Sequence, residues 1–253
     1  VIKTVGKAVK LYREQEWSQT FNEGVQLYND KNIDEAIQYF ELSSRIDPNK
    51  SQSYVTLAQI YVESKDLQNA KELVDKAISI DPNDEQAIVT AGNIASLEDD
   101  KLKAIQYYLR AADISSKPAP IMKKLIFLYI DLEEYEQAID YSMKVLKSYP
   151  YDSDIYYNIG VLYQRIALNQ FNVARDNFLI VSDMEKRDPS ELQKILDGFQ
   201  QARLNSIEAR EYFQQAWDLE VEDTGAKEAV SEMKKLKEQL DMIFIPSVEE
   251  MME

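Results

Sequence analysis

The chain has 253 residues, 45% of them apolar, enough for one large or two small domains with a buried core. Asp and Glu outnumber Lys and Arg by 45 to 29, a net charge of −16. That balance argues against nucleic acid, whose binding rests on Lys/Arg clustered against phosphates. With no Cys and no His, disulfides, thiolate nucleophiles, Cys/His zinc sites, Ser-His-Asp triads and imidazole acid/base chemistry are all removed.

Six glycines, all isolated, form no phosphate loop, and seven prolines form no linker, so one continuous domain over 1–253 is expected. No run approaches the ~20 apolar residues of a membrane-spanning helix. The sequence starts at Val1 and not at Met, which suggests a leader removed or omitted. The remaining acidic pairs, Asp99/Asp100 and Glu133/Glu134, fall where turns are expected, without a basic or aromatic constellation around them. No catalytic, cofactor or metal residue is assigned, and an enzyme is not expected.

In chain order, Ile2, Val5, Val9 and Tyr12 predict a short leading helix. From about residue 17 a period begins. Ala36, Ala70, Ala104 and Ala138 stand at one constant interval, and Pro48, Pro82 and Pro150 keep the same register. Twelve residues before each alanine come Gly24, Ala58, Gly92 and Ile126; nine before come Leu27, Tyr61, Ala95 and Tyr129. Four after come Phe40, Val74, Tyr108 and Ser142; seven after come Ser43, Ala77, Ala111 and Val145. Each unit reads as two amphipathic helices, A and B, with small residues where the pair crosses closely. The Asp47-Pro48-Asn49 and Asp81-Pro82-Asn83 segments end one unit, since proline restricts the residue before it and is tolerated in the first turn of a following helix. Ile126 at a small position and Ser142 at a bulky one depart from the pattern.

A fifth copy starts with Tyr156, Ile159, Gly160 and Tyr163, but its second helix returns only at Ala209, Phe213 and Ala216. The step from Gly160 to Ala209 is several times the step from Gly24 to Ala36. The insertion, near 167–204, keeps helical spacing through Phe171, Ala174, Phe178 and Val181, breaks at Asp188-Pro189-Ser190, and resumes through Leu192, Ile195, Leu196, Phe199 and Ala202. This predicts two lengthened helices, about 154–186 and 190–219. Ala226, Val230, Met233, Leu236, Leu240 and Ile243 then predict a capping helix over about 225–243. Residues 244–253 read as a frayed tail, because Pro246 breaks the stripe and an acidic run follows.

These columns resemble the tetratricopeptide repeat, whose period is about 34 residues. The resemblance implies an all-α fold: a right-handed superhelical α-solenoid of about five helix pairs plus a C-terminal capping helix. The repeats are placed at about 17–50, 51–84, 85–118, 119–152 and 153–221. In that family the A helices line a concave groove. Its candidate lining is Phe21, Val25 and Tyr28; Gln52, Val55, Gln59 and Val62; Gln86, Val89 and Asn93; Lys123, Phe127 and Ile130; and Tyr157, Val161 and Gln164. Valines, aromatics and amides with one charge, Lys123, suit a peptide: apolar side chains enter pockets and amides bond its backbone. The expected function is a protein-interaction scaffold, with a protein or peptide as partner. The alternative is a homo-oligomer formed through the long hairpin. Some relatives grip a chaperone's C-terminal carboxylate with a basic clamp, but Phe21 and Val25 occupy the matching places in the first copy, and Lys123 and Lys124 are the only groove-side lysines in the later ones. The long hairpin also resembles tetratricopeptide proteins of bacterial envelopes, which points to an envelope or periplasmic location with the signal removed, the cytoplasm being the other.

Overall fold

The computed structural model describes residues 2–253, with side chains from Val5 onward. Among these the regular structure is helical, and no strand occurs. The chain divides into two compact units, Val1–Leu125 and Ile126–Glu253.

In the first unit α1 (Ile2–Asn29) pairs with α2 (Ile33–Ile46), α3 (Ser51–Glu63) with α4 (Leu67–Ile80), and α5 (Glu85–Leu97) with α6 (Lys101–Ile114). The alanines of the repeating column, Ala36, Ala70 and Ala104, are fully buried. The small-residue column has a direct cause. A Cβ added to Gly24 would lie 2.9 Å from the Phe40 ring, and one added to Gly92 would lie 2.6 Å from the Tyr108 ring. The second pair meets the same constraint with a methyl against a smaller partner, Ala58 and Val74 sharing one core cluster.

The A-to-B turns show a second periodicity that no glycine announces. Lys31, Lys65, Asp99 and Glu133 all have φ near +60°. At each turn two backbone bonds close the helix end: Asn32 N–H reaches Leu27 C=O (2.8 Å) and Lys31 N–H reaches Tyr28 C=O (3.0 Å) in the first, with counterparts in the other three. This is a Schellman closure, which ordinarily places glycine at the left-handed position. Between pairs, Asp47 and Asp81 adopt extended backbone and their carboxylates accept the N–H of Asn49 (3.2 Å) and Asn83 (2.9 Å). Pro48 and Pro82 therefore stand within turns, ahead of the next helix and outside its first turn. Carboxylates of Asp66, Asp84 and Asp100 cap α4, α5 and α6.

The expected short leading helix is instead the start of α1, which runs unbroken for 28 residues. Val5, Val9 and Tyr12 are exposed; the side chain of Ile2 lies outside the described residues. Nothing between Tyr12 and Trp17 stops a helix, so the strong pairing of the later half of α1 with α2 extends helical backbone toward the N-terminus.

α7 (Ala119–Asp131) carries the boundary between units. The second unit continues with α8 (Tyr135–Leu146), α9 (Ser153–Ser182), α10 (Pro189–Leu219), α11 (Thr224–Gln239) and α12 (Ile245–Met252). The fourth pair exchanges the column sizes, with Ile126 at the small position and a buried Ser142 at the ring position. The lengthened hairpin is present as expected: α9 has 30 residues and α10 has 31, about 45 Å each at 1.5 Å per residue. Gly160 stands 2.7 Å, by its added Cβ, from the Phe213 ring, so the fifth pair restores the rule of the first and third.

The C-terminus departs from expectation. A π turn, Leu240–Phe244, joins α11 to α12, and residues 245–252 are helical. The wider turn inserts one residue into the apolar stripe. Leu236 and Leu240 are therefore followed inward by Phe244 and Val248, while Ile243 turns 55% to solvent. Phe244 sits 5.0 Å from both Phe171 and Phe199 and 6.2 Å from Phe178, ring centre to ring centre. Pro246 does not break the helix because it occupies the first turn of α12, where its missing N–H costs little. Arg203 and Lys237 both donate to the Asp241 carboxylate within the π turn. Those bonds, Lys237 first, hold the Asp241 carboxyl below its usual value.

Candidate functional site

In the first unit the A helices are tied side by side. Trp17 Nε1 donates to Ser53 Oγ at 2.9 Å, and Ser53 shares a 2.8 Å hydrogen bond with Ser43. The Tyr28 hydroxyl donates to the Glu63 carboxylate at 2.7 and 2.8 Å, linking α1 to α3. That bond, with partial burial, raises the Tyr28 pKa. Gln59 Nε2 donates to Thr90 Oγ1 at 3.4 Å, linking α3 to α5. The Tyr108 hydroxyl reaches across from α6 to Asn93 Oδ1 at 2.8 Å, and burial pushes its pKa up to about 12.

The sixteen residues expected on this face divide by burial. Gln52, Gln86 and Lys123 are exposed, as are Val25 and Phe127, the latter at 69%. Phe21, Tyr28, Gln59, Val62, Val89, Asn93, Ile130, Tyr157, Val161 and Gln164 are half-buried. Val55 is 1% exposed and belongs to the core with Ala77 and Ala87, so it lines nothing. The small Ala87 of the next unit lets α5 close over it. Phe21 is also partly a packing residue, 5.2 Å from the Trp17 ring and 5.3 Å from Phe40.

In the second unit Tyr157 and Val161 pack on the core cluster, Tyr157 at 5.3 Å from the Phe213 ring. Gln164 Nε2 donates to Glu232 of α11 at 3.3 Å. The fifth pair therefore presents less free face than the spacing suggested.

Two features of the first unit's A helices escaped the sequence argument. α1 carries an exposed or half-exposed strip of Gln15, Ser18, Gln19, Asn22 and Gln26, with Glu23 among them, along a shallow recess of about 520 Å³. Its i, i+4, i+7, i+11 spacing is the signal that marks it. From Glu14 to Asn29 of α1, and throughout α3 and α5, there is no Lys or Arg. The charged side chains there are Glu14, Glu16, Glu23, Glu63 and Glu85. Lys124 of α7 lies 5.7 Å over the Tyr108 ring, toward α6.

Paired helices in constant register, with small residues beneath rings and Schellman turns between them, define a tetratricopeptide α-solenoid, a class of protein-interaction scaffold. Residues 17–159 match the family model described as tetratricopeptide repeat protein 21 C-terminal ARM domain, and the chain belongs to that family. Its fold is similar to a solved structure of MamA, with TM-score 0.58 at 19% identity over 84% of this chain and 96% of that one. It is also similar to PilF of Pseudomonas aeruginosa, with TM-score 0.55 at 17% identity over 87% and 99%. A tetratricopeptide repeat protein of Parabacteroides merdae gives 0.50 at 13% identity over 90% of each chain. At such identities the likeness concerns the fold alone. No curated protein matches the sequence. No helix among the described residues is long and apolar enough to cross a membrane.

Proposed function

We propose that the A-helix face binds a peptide segment of another protein, extended or helical, in the groove that these helices line. One observation carries the reading. In a chain with 29% charged residues, three neighbouring A helices hold no cation after Arg13 and offer amides and valines instead. Gln52, Gln86 and Asn93 can both donate to and accept from a peptide backbone, and Val25, Val62 and Val89 supply apolar contact. A solvated surface with no partner has no need of that composition.

The same reading assigns no catalysis. Asp99 and Glu133 are the left-handed residues of Schellman turns, and Asp100 caps α6.

Site-specific photo-crosslinking tests the proposal. A photoreactive residue is placed at Gln52 or Gln86 on the A face and, separately, at Leu102, which is 68% exposed on α6. The A-face probes should join a partner polypeptide that the Leu102 probe does not. Equal yields from both faces would overturn the assignment.

Self-association through the hairpin keeps a specific observation of its own: Val173 and Ile180 of α9, and Met184 just beyond its end, are exposed at i, i+7 and i+11. Light scattering that shows a monomer over a wide concentration range would remove it.

A further inference from the structure

The first half of α1 belongs to neither the core nor the A-helix face. Residues 5–15 are exposed without exception, over about 16 Å at 1.5 Å per residue, with Gly6, Val9, Lys10 and Arg13 bordering an open recess shared with Asp47, Asn49 and Lys50. This segment also reverses the charge of the molecule. Residues 1–13 contain Lys3, Lys7, Lys10 and Arg13 and no carboxylate, in a chain whose net charge is −16.

The two kinds of side chain separate around the helix. With 3.6 residues per turn, Leu11, Ala8, Tyr12, Val5 and Val9 fall within one arc of about 160°, and Arg13, Lys10 and Lys7 fall within the arc beside it. Val5, Val9, Leu11 and Tyr12 are 57%, 52%, 68% and 66% exposed. An apolar half flanked by lysines is costly in water and stable at a lipid interface, where the apolar arc enters the acyl boundary and the ammonium groups reach the headgroups.

We propose that the α1 segment from Val5 to Arg13 docks the protein onto an anionic lipid surface, lying in the plane of the interface. Charge selects this occupant. A neutral bilayer gives the cations nothing, whereas each Lys or Arg near an anionic leaflet gains about 1 kcal/mol, or roughly fivefold in affinity. The acidic body does not cancel the attraction, because charges beyond about 8 Å are largely screened at physiological salt. Of the carboxylates near the segment, Glu14 is paired with Lys50 at 3.2 Å, and Asp47, across the recess from Lys10 and Arg13, binds the Asn49 N–H at 3.2 Å.

The test is co-sedimentation of the full chain with phosphatidylcholine vesicles, with and without a third of phosphatidylglycerol. Binding to the anionic vesicles alone, weakened by added salt, is expected. The Lys7→Glu/Lys10→Glu/Arg13→Glu variant should lose at least a hundredfold in affinity, and Val5→Ser/Val9→Ser about tenfold. Lys234→Glu/Lys235→Glu, which makes two of the same reversals on exposed positions of α11, should bind as the parent does. All these side chains are exposed, so circular dichroism should show parental helix content.

No binding to anionic vesicles, equal binding to neutral ones, or indifference to the triple reversal would overturn the proposal. So would the finding that the reversal abolishes a dimer seen by light scattering while vesicles are ignored, which would make a second copy the occupant.

Discussion

Gly92→Ala should destabilise the protein, although the same change in an ordinary helix stabilises it. An exposed helix interior gains about 0.8–1.0 kcal/mol when Gly becomes Ala. At Gly92 the new Cβ would stand 2.6 Å from Cε1 and 2.8 Å from Cδ1 of Tyr108. Carbon atoms rest at about 3.5–4.0 Å, so the ring must retreat by close to 1 Å. Tyr108 is 3% exposed and its hydroxyl is held by Asn93, so retreat strains the core and bends that bond. Overpacking costs about 1–3 kcal/mol and a weakened hydrogen bond about 1 kcal/mol more. The net expectation is a loss of about 1–3 kcal/mol. The second pair shows the compensation, Ala58 with Val74. Tyr108→Val alone should cost about 3 kcal/mol by leaving a cavity. Joined with Gly92→Ala it should cost less than the sum of the two singles by about 1.5 kcal/mol or more, since the new methyl fills part of that space. Urea unfolding followed by far-UV circular dichroism measures each corner of the cycle, read as midpoint shifts at constant slope. Gly6→Ala is the control, because nothing lies within 4 Å of a Cβ there, and it should not destabilise. A neutral or stabilising Gly92→Ala, or a cycle additive within about 0.5 kcal/mol, would refute the idea that these two columns set each other's size.

Lys65→Gly removes a side chain from a left-handed position and should raise stability by about 0.5–1 kcal/mol in the same unfolding assay. Phe244→Ala should cost about 3 kcal/mol and Ile243→Ala under about 0.5 kcal/mol; a reversed order would deny the register shift at the π turn. The Asp241 carboxyl titrates below its unfolded value near 3.8, so its contribution is complete above that pH and fades as acid takes the solution through the folded value. Protection of residues 245–252 against hydrogen exchange, taken relative to the intrinsic rate at each pH, should therefore fall below about pH 4 in the parent, whereas Asp241→Asn should show reduced protection already at neutral pH. An acidic C-terminal peptide of the chaperone type should bind with no measurable micromolar affinity by calorimetry, because the A helices from Glu14 to Leu97 offer its carboxylates no cation.

The repeat was legible because packing between helices in a pair is local. An alanine returning at one fixed interval, a glycine beneath a ring and an uninterrupted apolar stripe are written in single segments, and they set the pairing and the lengths of α9 and α10. The candidate site was legible only as a list of outward positions. Whether such a position faces solvent depends on what the following unit lays over it: Ala87 closes over Val55, while Phe127 stays 69% exposed. The left-handed Lys31, Lys65, Asp99 and Glu133 gave no sign either. Their backbone is dictated by hydrogen bonds that close the preceding helix, and no residue type there reports it. At the C-terminus, Pro246 and the acidic residues suggested a frayed end. The ring of Phe244 finds three other phenylalanines only when the hairpin is folded, and that burial stabilises a π turn that no local preference favours. The chain's own pattern thus determined which helices form and pair, because those contacts recur within each repeat. Contacts between more distant segments decided which faces remain open, because burial belongs to both surfaces that meet and neither segment records it alone.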